Sequence, residues 1–142
     1  MLSSAPAPRG VALIGYDGVQ SLDLTGPLEV FTLANRFAGA QAYQVRVASP
    51  EGGEIVSNAG LRIAGTRRLA DLPEDLDTVL VAGGETGLGD LANGELGAWL
   101  RDRAVRTRRI GSVCDGALVL AAAGLLDGRR ATTHWKACEL MA

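Results

Sequence analysis

The stretch that decides the fold is Arg109-Ile110-Gly111-Ser112-Val113-Cys114-Asp115-Gly116-Ala117-Leu118-Val119-Leu120. An apolar strand, 110–113, leads directly into Cys114, and an apolar helix follows without a loop. This order predicts a sharp strand-to-helix turn, a nucleophile elbow, in which Gly116 leaves room for the tight backbone. At the helix N-terminus, unpaired N–H groups favour a thiolate over a thiol. The alternative interpretation is a small buried cysteine at the end of a core strand.

Composition bounds the class of protein. The 142 residues suit one domain, and 47% hydrophobic residues with 19 glycines are typical of a compact α/β protein. With 14 basic and 16 acidic residues, the charge indicates neither a nucleic acid nor an acidic partner. Two cysteines make no disulfide framework, so we expect a cytoplasmic protein. The longest apolar run, 117–126, is about half of a membrane span, which predicts no membrane partner.

The order of apolar segments predicts the architecture. Strands are expected at 11–14 in the sheet centre, at 44–48 nearer an edge, and at 78–82 and 110–113. A small hairpin is expected from 54–57 and 61–63, and helices are expected to open at Thr25-Gly26-Pro27, to run from about 93 to 107 and to follow Asp115-Gly116. This alternation predicts a doubly wound, mostly parallel sheet with helices on both faces.

The sequence also predicts the structure at both ends of the chain. Residues 1–9 are expected to form a disordered lead-in without a signal peptide. Near the other end, a short strand at 131–133 precedes the helical spacing of Trp135, Cys138 and Met141, which has no C-cap. We therefore expect domain 10–142 to be incomplete, with an exposed apolar patch that favours a homodimer.

Candidate site residues follow three strands, whose carboxyl ends meet at one edge of a parallel sheet. Cys114 follows one strand, Gly83 and Gly84 follow another, and the loop with Asp17 and Asp23 follows the first. Consecutive glycines can aim N–H groups at an oxyanion, although an ordinary turn is the alternative. A carboxylate beside a cysteine can hold a proton, although a lone Asp more often caps a turn.

Other side chains exclude several kinds of site. His134, the only histidine, is expected to line the site or act as a general base, with capping of the last helix as the alternative. His134 and Cys138 are too few ligands for zinc, so no metal is expected. The glycine spacing matches no dinucleotide fingerprint and no P-loop, so no cofactor is expected. The arginines at 101, 103, 106, 108 and 109 are interpreted as a solvated helix face and strand start rather than a phosphate site.

Three motifs give the chain a resemblance to the ThiJ/PfpI (DJ-1) superfamily. They are QSLDLTGP at 20–27, SVCDGA at 112–117 and AAGLLDGRRATTHW at 122–135. The resemblance implies a flavodoxin-like three-layer sandwich of the class I glutamine-amidotransferase type. It also implies that Cys114 is the elbow cysteine, that Asp23 is the carboxylate of a hydratase-like site and that Gly84 lies among oxyanion-binding amides. The residue after the cysteine is usually Thr in these branches, whereas this chain has Asp115.

Two functions are open at this point. The first is the ligand-sensing or dimerising domain of an AraC-type transcriptional regulator, which would contact DNA only through a missing C-terminal domain. The second is a cysteine-dependent isonitrile hydratase-like or glyoxalase-like enzyme. For either function, Cys114 and Asp23 are the candidate catalytic or vestigial pair. An unknown small molecule would contact the ligand-binding candidates, which are Gly83, Gly84, Asp115, Asp17 and His134. Because the Asp115 charge opposes the helix dipole, we expect only weak activation of the Cys114 thiol, still above that of Cys138.

Overall fold

The computed structural model describes residues 6–85 and 87–141, which contain six strands and five α-helices. The strands are β1 (Arg9–Ile14), β2 (Tyr43–Ser49), β3 (Gly53–Val56), β4 (Arg62–Arg68), β5 (Leu76–Val81) and β6 (Arg109–Ser112). The helices are α1 (Ser21–Ala38), α2 (Leu88–Asn93), α3 (Glu95–Ala104), α4 (Ala117–Ala122) and α5 (Cys138–Met141). In this described part, no helix combines the length and apolar character needed to cross a membrane.

The strands form one mostly parallel sheet in the order β3-β4-β2-β1-β5-β6. Only the β3–β4 pair is antiparallel, which confirms the predicted hairpin. β1 pairs with β2 and β5, so the predicted central strand is also confirmed. The prediction that 44–48 lies near an edge is wrong, because β4 pairs with the last two residues of β2. The arrangement is the expected flavodoxin-like fold, with β6 at one edge of the sheet.

Side chains of β1 alternate between two apolar cores, one on each face of the sheet. Val11 and Leu13 pack with residues of α1, whereas Ala12 and Ile14 pack with residues of α2, α3 and α4. All four side chains are buried. A strand buried on both faces needs a continuous apolar run, which is the pattern at 11–14. Helices on both faces of the sheet make a three-layer sandwich.

Helix α1 begins earlier than the sequence indicates. It starts at Ser21 rather than at the Thr25-Gly26-Pro27 segment, and Pro27 lies inside it. Proline removes one intrahelical hydrogen bond there, a local cost that favours a later start. Burial of Leu24, which is 2% exposed, offsets that cost because its side chain contributes to a core. The early start also places Asp23 in the first turn of the helix.

The helix expected over 93–107 is the shorter α3, and α2, which precedes it, was not expected. Gly94 adopts an extended conformation between α2 and α3 and breaks the helical path. The break lets the two helices meet at close range, since a Cβ at Gly97 would overlap the backbone of Ala92. Such a close approach is available only to glycine. The packing of α2 against α3 therefore depends on Gly94 and Gly97.

The C-terminal part agrees only partly with expectation. No strand forms at 131–133, and α4, the helix expected after Gly116, ends at Ala122. The helical spacing near the end is confirmed by a 3₁₀ turn, Trp135–Ala137, and by α5, while residue 142 lies outside the described part. Of the expected lead-in, residues 1–5 also lie outside it, and Arg9 already belongs to β1.

The interpretation of the arginine cluster as entirely solvated is wrong at Arg103. This side chain is 6% exposed and donates hydrogen bonds to the carbonyl oxygens of Pro73 (2.9 Å) and Leu72 (3.4 Å). Its guanidinium also lies 5.2 Å from the centre of the Trp99 ring. Arg103 therefore ties α3 to the segment that precedes β5.

Asp77, at the start of β5, is the centre of an ionic cluster. Arg108 donates two hydrogen bonds to its carboxylate (2.7 and 2.9 Å), and Arg109 and Arg9 lie 3.7 and 4.0 Å away. Thr78 donates another hydrogen bond of 2.7 Å. These contacts, led by the Arg108 hydrogen bonds, lower the pKa of Asp77 to about 2. The ionised carboxylate thus joins the starts of β1, β5 and β6.

We predict that Asp77→Asn lowers the free energy of unfolding at pH 7 by about 1–2 kcal/mol, because it leaves the arginines without their shared partner. Since the folded pKa lies below the ordinary value of 3.8, the contribution is present above that value and is lost as pH falls towards about 2. Urea unfolding across this range should show a flatter acid limb for the variant. The matched control, Asp75→Asn, removes an exposed carboxylate two residues away, and an equal effect there would contradict the prediction.

Candidate functional site

Cys114 occupies a strained turn between β6 and α4. Its φ angle is 56°, the one positive φ among the described residues other than glycine. Such a conformation costs about 1–3 kcal/mol and persists only where the surroundings enforce it. Here the Val113 N–H donates to the Val81 carbonyl (2.9 Å), and a 3₁₀ turn, Cys114–Gly116, leads into α4. The predicted strand-to-helix geometry is present.

Gly116 permits this turn through close packing rather than through its dihedral angles, since its φ is −55°. A Cβ at this position would lie 2.7 Å from the Ala82 carbonyl oxygen and would overlap that of Val81. The start of α4 therefore contacts the end of β5 directly, and this contact brings Cys114 next to Gly83.

Two carboxylates accept hydrogen bonds from the backbone N–H groups of Gly83 and Gly84, which follow β5. Asp23, from the first turn of α1, accepts a hydrogen bond from the Gly83 N–H (3.0 Å). Asp115 accepts one from the Gly84 N–H (2.9 Å). The two N–H groups expected to face an oxyanion thus bind carboxylates of the chain itself. Hydrogen bonds from backbone amides favour ionised carboxylates, and they fix both side chains beside the cysteine.

The space around Gly83 shows how closely these groups approach. A Cβ added there would overlap Asp115 Oδ1 and would lie 2.8 Å from Asp23 Oδ2 and 3.0 Å from Cys114 Cβ. Glycine is therefore required at this position by three side chains at once. The sequence predicts Cys114, Asp23, Gly83, Gly84 and Asp115 as site residues, and the structure brings all five together.

The surroundings of Cys114 stabilise the neutral thiol. Burial is the largest cause of a raised Cys114 pKa, and the charges of Asp23 and Asp115 raise it further. The Asp115 N–H lowers the Cys114 pKa and so opposes these contributions. The expectation of weak thiol activation is wrong for this reason: two carboxylates and burial outweigh the end of a helix of six residues.

Asp23 also has a raised pKa, chiefly because it is partly buried. The charge of Asp115 raises it further, while the Gly83 N–H, the Cys114 thiol and the nearby His134 lower it. A carboxyl with a raised pKa next to a thiol is able to exchange a proton with it, which is the role expected of a carboxylate at this position.

Tyr16 belongs to the site, although sequence reasoning did not select it. Its hydroxyl donates a hydrogen bond to the Ala82 carbonyl (2.9 Å), and the residue is 3% exposed. Burial, Asp115, Asp23 and Cys114 together hold its pKa well above the usual range. Tyr16 follows β1 by two residues, at the carboxyl edge of the sheet, and this position in the sequence could have identified it as a site residue. Thr133 was missed as well, and it donates a 3.2 Å hydrogen bond to the Cys114 carbonyl.

The remaining two candidates differ in position. Asp17 Oδ1 accepts a hydrogen bond from the Val56 N–H (2.8 Å), so this side chain supports the hairpin. His134 Nδ1 accepts from the Lys136 N–H (3.3 Å) and caps the last 3₁₀ turn, which was the alternative interpretation. It is nevertheless close enough to influence the Asp23 pKa. The structure thus places His134 within electrostatic range of Asp23 and places Asp17 beside the hairpin.

Metal ligation has no geometric support in the described part of the chain, where no three His, Cys, Asp or Glu side chains are grouped to hold an ion. The Cys138 thiol, four residues from His134, instead contacts the His134 carbonyl oxygen at 3.7 Å.

The fold and the site together define a class of protein. The sequence model of the DJ-1/PfpI family matches residues 9–141, and the chain belongs to this family. Two solved structures support the assignment. A ThiJ/PfpI family protein from Pseudomonas syringae has 31% identity and a TM-score of 0.77, with 95% of this chain and 57% of that one covered. An AraC family transcriptional regulator from Pseudomonas putida has 25% identity and a TM-score of 0.78, with 94% and 71% covered.

Relatives at the sequence level are of several kinds. An uncharacterized protein in the cpoL 5′ region of Streptomyces lividans is 45% identical over 91% of this chain and 89% of that protein. Isonitrile hydratase from Pseudomonas putida is 38% identical over 92% of this chain but 54% of the hydratase. The HTH-type transcriptional regulator GlxA from Rhizobium meliloti is 36% identical over 95% and 42%, respectively. The chain thus spans about half of the hydratase and less of the regulator.

We predict that iodoacetamide alkylates Cys114 more slowly than a free thiol at pH 7, and that the rate rises with pH as the thiol ionises. Asp115→Thr should speed the reaction about two- to fivefold at pH 7, because it removes a negative charge that raises the thiol pKa. Mass spectrometry of the modified peptide separates Cys114 from Cys138. If the wild-type thiol reacts much faster than a free thiol and Asp115→Thr slows it, the carboxylate assists chemistry instead.

Proposed function

We propose that this DJ-1/PfpI domain is a ligand-sensing module related to the N-terminal domains of AraC-type regulators. On this proposal a separate domain contacts DNA, and the Cys114 site receives a small molecule. Membership of the family, an AraC family regulator among the structural neighbours and an HTH-type regulator among the relatives support it. Cys114 and Cys138 are both free thiols, in keeping with a cytoplasmic location.

The observation that carries the proposal is the occupation of the Gly83 and Gly84 amides by carboxylates. Acyl-transfer and hydration chemistry use such amides to stabilise developing negative charge. In this chain the same amides already bind Asp23 and Asp115, and the pKa of Cys114 is raised. A thiol that stays protonated beside an occupied anion site is a poor nucleophile. The arrangement suits binding better than turnover.

A second candidate function is hydration of an isonitrile. The strained turn at Cys114, the nearness of the Asp23 carboxylate and the 38% identity to isonitrile hydratase favour it. In this reaction water adds across an isonitrile to give an N-substituted formamide. Asp115 is the feature that opposes it, because its charge disfavours the thiolate that would attack.

Formamide production from an alkyl isonitrile separates the two functions. For a sensing module we expect wild-type protein to produce no more formamide than Cys114→Ala, with Pseudomonas putida isonitrile hydratase as the positive control. Asp115→Asn, which keeps the size of the side chain and removes its charge, serves as the matched variant. Turnover that requires Cys114 and falls in Asp115→Asn would replace the sensing proposal with the enzymatic one.

We also propose that the domain forms a homodimer through α1. Leu22, Val30, Leu33 and Phe37 are 67%, 65%, 40% and 86% exposed and share one face of this helix. Gly26 lies on the same face with open space above it, which would let a partner backbone approach. A continuous apolar stripe of this kind on a surface helix marks an interaction site.

Sedimentation velocity tests the dimer. We expect wild-type protein to sediment as a dimer at micromolar concentration and Val30→Glu to weaken association at least about tenfold, because it buries a charge in the interface. Val105→Glu is the matched control, since Val105 is 85% exposed and lies beyond the end of α3. A monomeric wild type, or equal effects of the two variants, would contradict the proposal.

A further inference from the structure

The peptide unit that joins Ala82 to Gly83 is held at both ends. Its N–H group, on Gly83, donates a hydrogen bond to Asp23 (3.0 Å). Its carbonyl oxygen, on Ala82, accepts one from the Tyr16 hydroxyl (2.9 Å). Because the peptide bond is planar, the carbonyl and the N–H of one unit cannot turn independently. A donor that holds the carbonyl therefore also fixes the direction of the N–H.

The next peptide unit, which joins Gly83 to Gly84, has the same arrangement with a different donor. Its N–H donates to Asp115 (2.9 Å), and its carbonyl accepts from the backbone N–H of Gln20 (2.8 Å). A backbone donor is present whatever the side chain, whereas a substitution can remove the hydroxyl of Tyr16. The two units thus form a natural pair for comparison, because the first is held by a side chain and the second by the backbone.

The hydrogen bond between Tyr16 and Ala82 lies inside the protein. The two residues are 3% and 1% exposed, so bulk water has little access to it. The ring is held closely as well, since a Cβ added at Gly84 would lie 3.1 Å from its Cε2 atom. In such surroundings, hydrogen bonds in a chain polarise one another. The hydroxyl therefore makes the Gly83 N–H both better directed and a stronger donor.

Asp23 is the group on which this donor acts. Burial is the largest cause of the raised Asp23 pKa, and the Gly83 N–H is the foremost of the groups that oppose it. The charge of Asp115 raises the pKa further, while Cys114 and His134 lower it. A weaker Gly83 donor would stabilise the carboxylate less, so Asp23 would stay protonated to a higher pH.

We propose that Tyr16 is a positioning residue of the Cys114 site, which acts through the peptide unit between Ala82 and Gly83 to keep the Asp23 carboxylate ionised beside the thiol. The inference rests on the proposed function and deepens it, because it says what sets the charge that a ligand at this site would meet. The role needs the hydroxyl and not the ring, so substitution by Phe isolates it.

An NMR titration of the full chain tests this role. The amide signals of Gly83 and Gly84 report the ionisation of the carboxylates that they contact, Asp23 and Asp115, respectively. In Tyr16→Phe the Gly83 midpoint should move to higher pH, as expected for about two- to fivefold tighter proton binding by Asp23, while the Gly84 midpoint moves much less. Loss of general stability alone would not separate the two midpoints.

Tyr43→Phe is the matched control. It removes the hydroxyl of a tyrosine at the start of β2, at the amino edge of the sheet, and should leave both midpoints unchanged. A further readout needs no variant: in wild-type protein the Tyr16 hydroxyl proton should exchange slowly, and its signal should titrate together with the Gly83 amide. None of these measurements uses a ligand or formamide production, so they can fail while the sensing function stands, and the reverse.

Three results would overturn the proposal. The first is an unchanged Gly83 midpoint in Tyr16→Phe, or equal shifts of the Gly83 and Gly84 midpoints. The second is an effect of the same size in Tyr43→Phe. The third is a wild-type Tyr16 hydroxyl signal that does not follow the Gly83 amide, and this result decides the matter even if Tyr16→Phe does not fold.

Discussion

The site depends on the pairing of two carboxylates with two consecutive backbone amides. Gly83 and Gly84 follow β5, and their N–H groups bind Asp23 and Asp115, which arrive from α1 and from the turn after β6. One short backbone segment thus fixes the relative positions of three elements. It can do so only because residue 83 has no side chain, since a Cβ there would overlap the carboxylates it holds. Because residue 83 has no side chain, Cys114 can also lie against this diglycine segment.

This pairing also sets the chemical character of the cysteine. A thiol at a strained turn before a helix is commonly activated, because the helix end favours the thiolate. Here burial raises the Cys114 pKa first, and two nearby carboxylates add to the effect. The charge that would normally come from a ligand or a transition state is already present as Asp23 and Asp115. Geometry typical of a nucleophile and electrostatics that oppose one coexist in the same turn, which is why the fold alone does not decide between sensing and catalysis.

Local sequence signals predicted the parts of the site that depend on local structure. The apolar strand, Cys114 and Gly116 are contiguous, so their turn could be read directly, and the apolar run at 11–14 indicated the central strand. Other features depend on which distant groups meet. The carboxylates at the Gly83 and Gly84 amides, the inclusion of Tyr16 and the burial of Arg103 arise from tertiary packing between elements. The start of α1 was missed because Pro27 is a strong local signal, and burial of Leu24 outweighed it.

The two ends of the parallel sheet hold their carboxylates in different ways, and this difference follows from the strand sequences. At the carboxyl edge, the residues after β1, β5 and β6 include Asp17, the diglycine and Asp115, and α1 adds Asp23. At the other edge, Arg9, Arg108 and Arg109 surround Asp77. The carboxylates beside the thiol are therefore held by backbone amides, whereas the carboxylate of Asp77 is held by arginines. Net charge conceals this difference, because it counts the carboxylates at both edges alike.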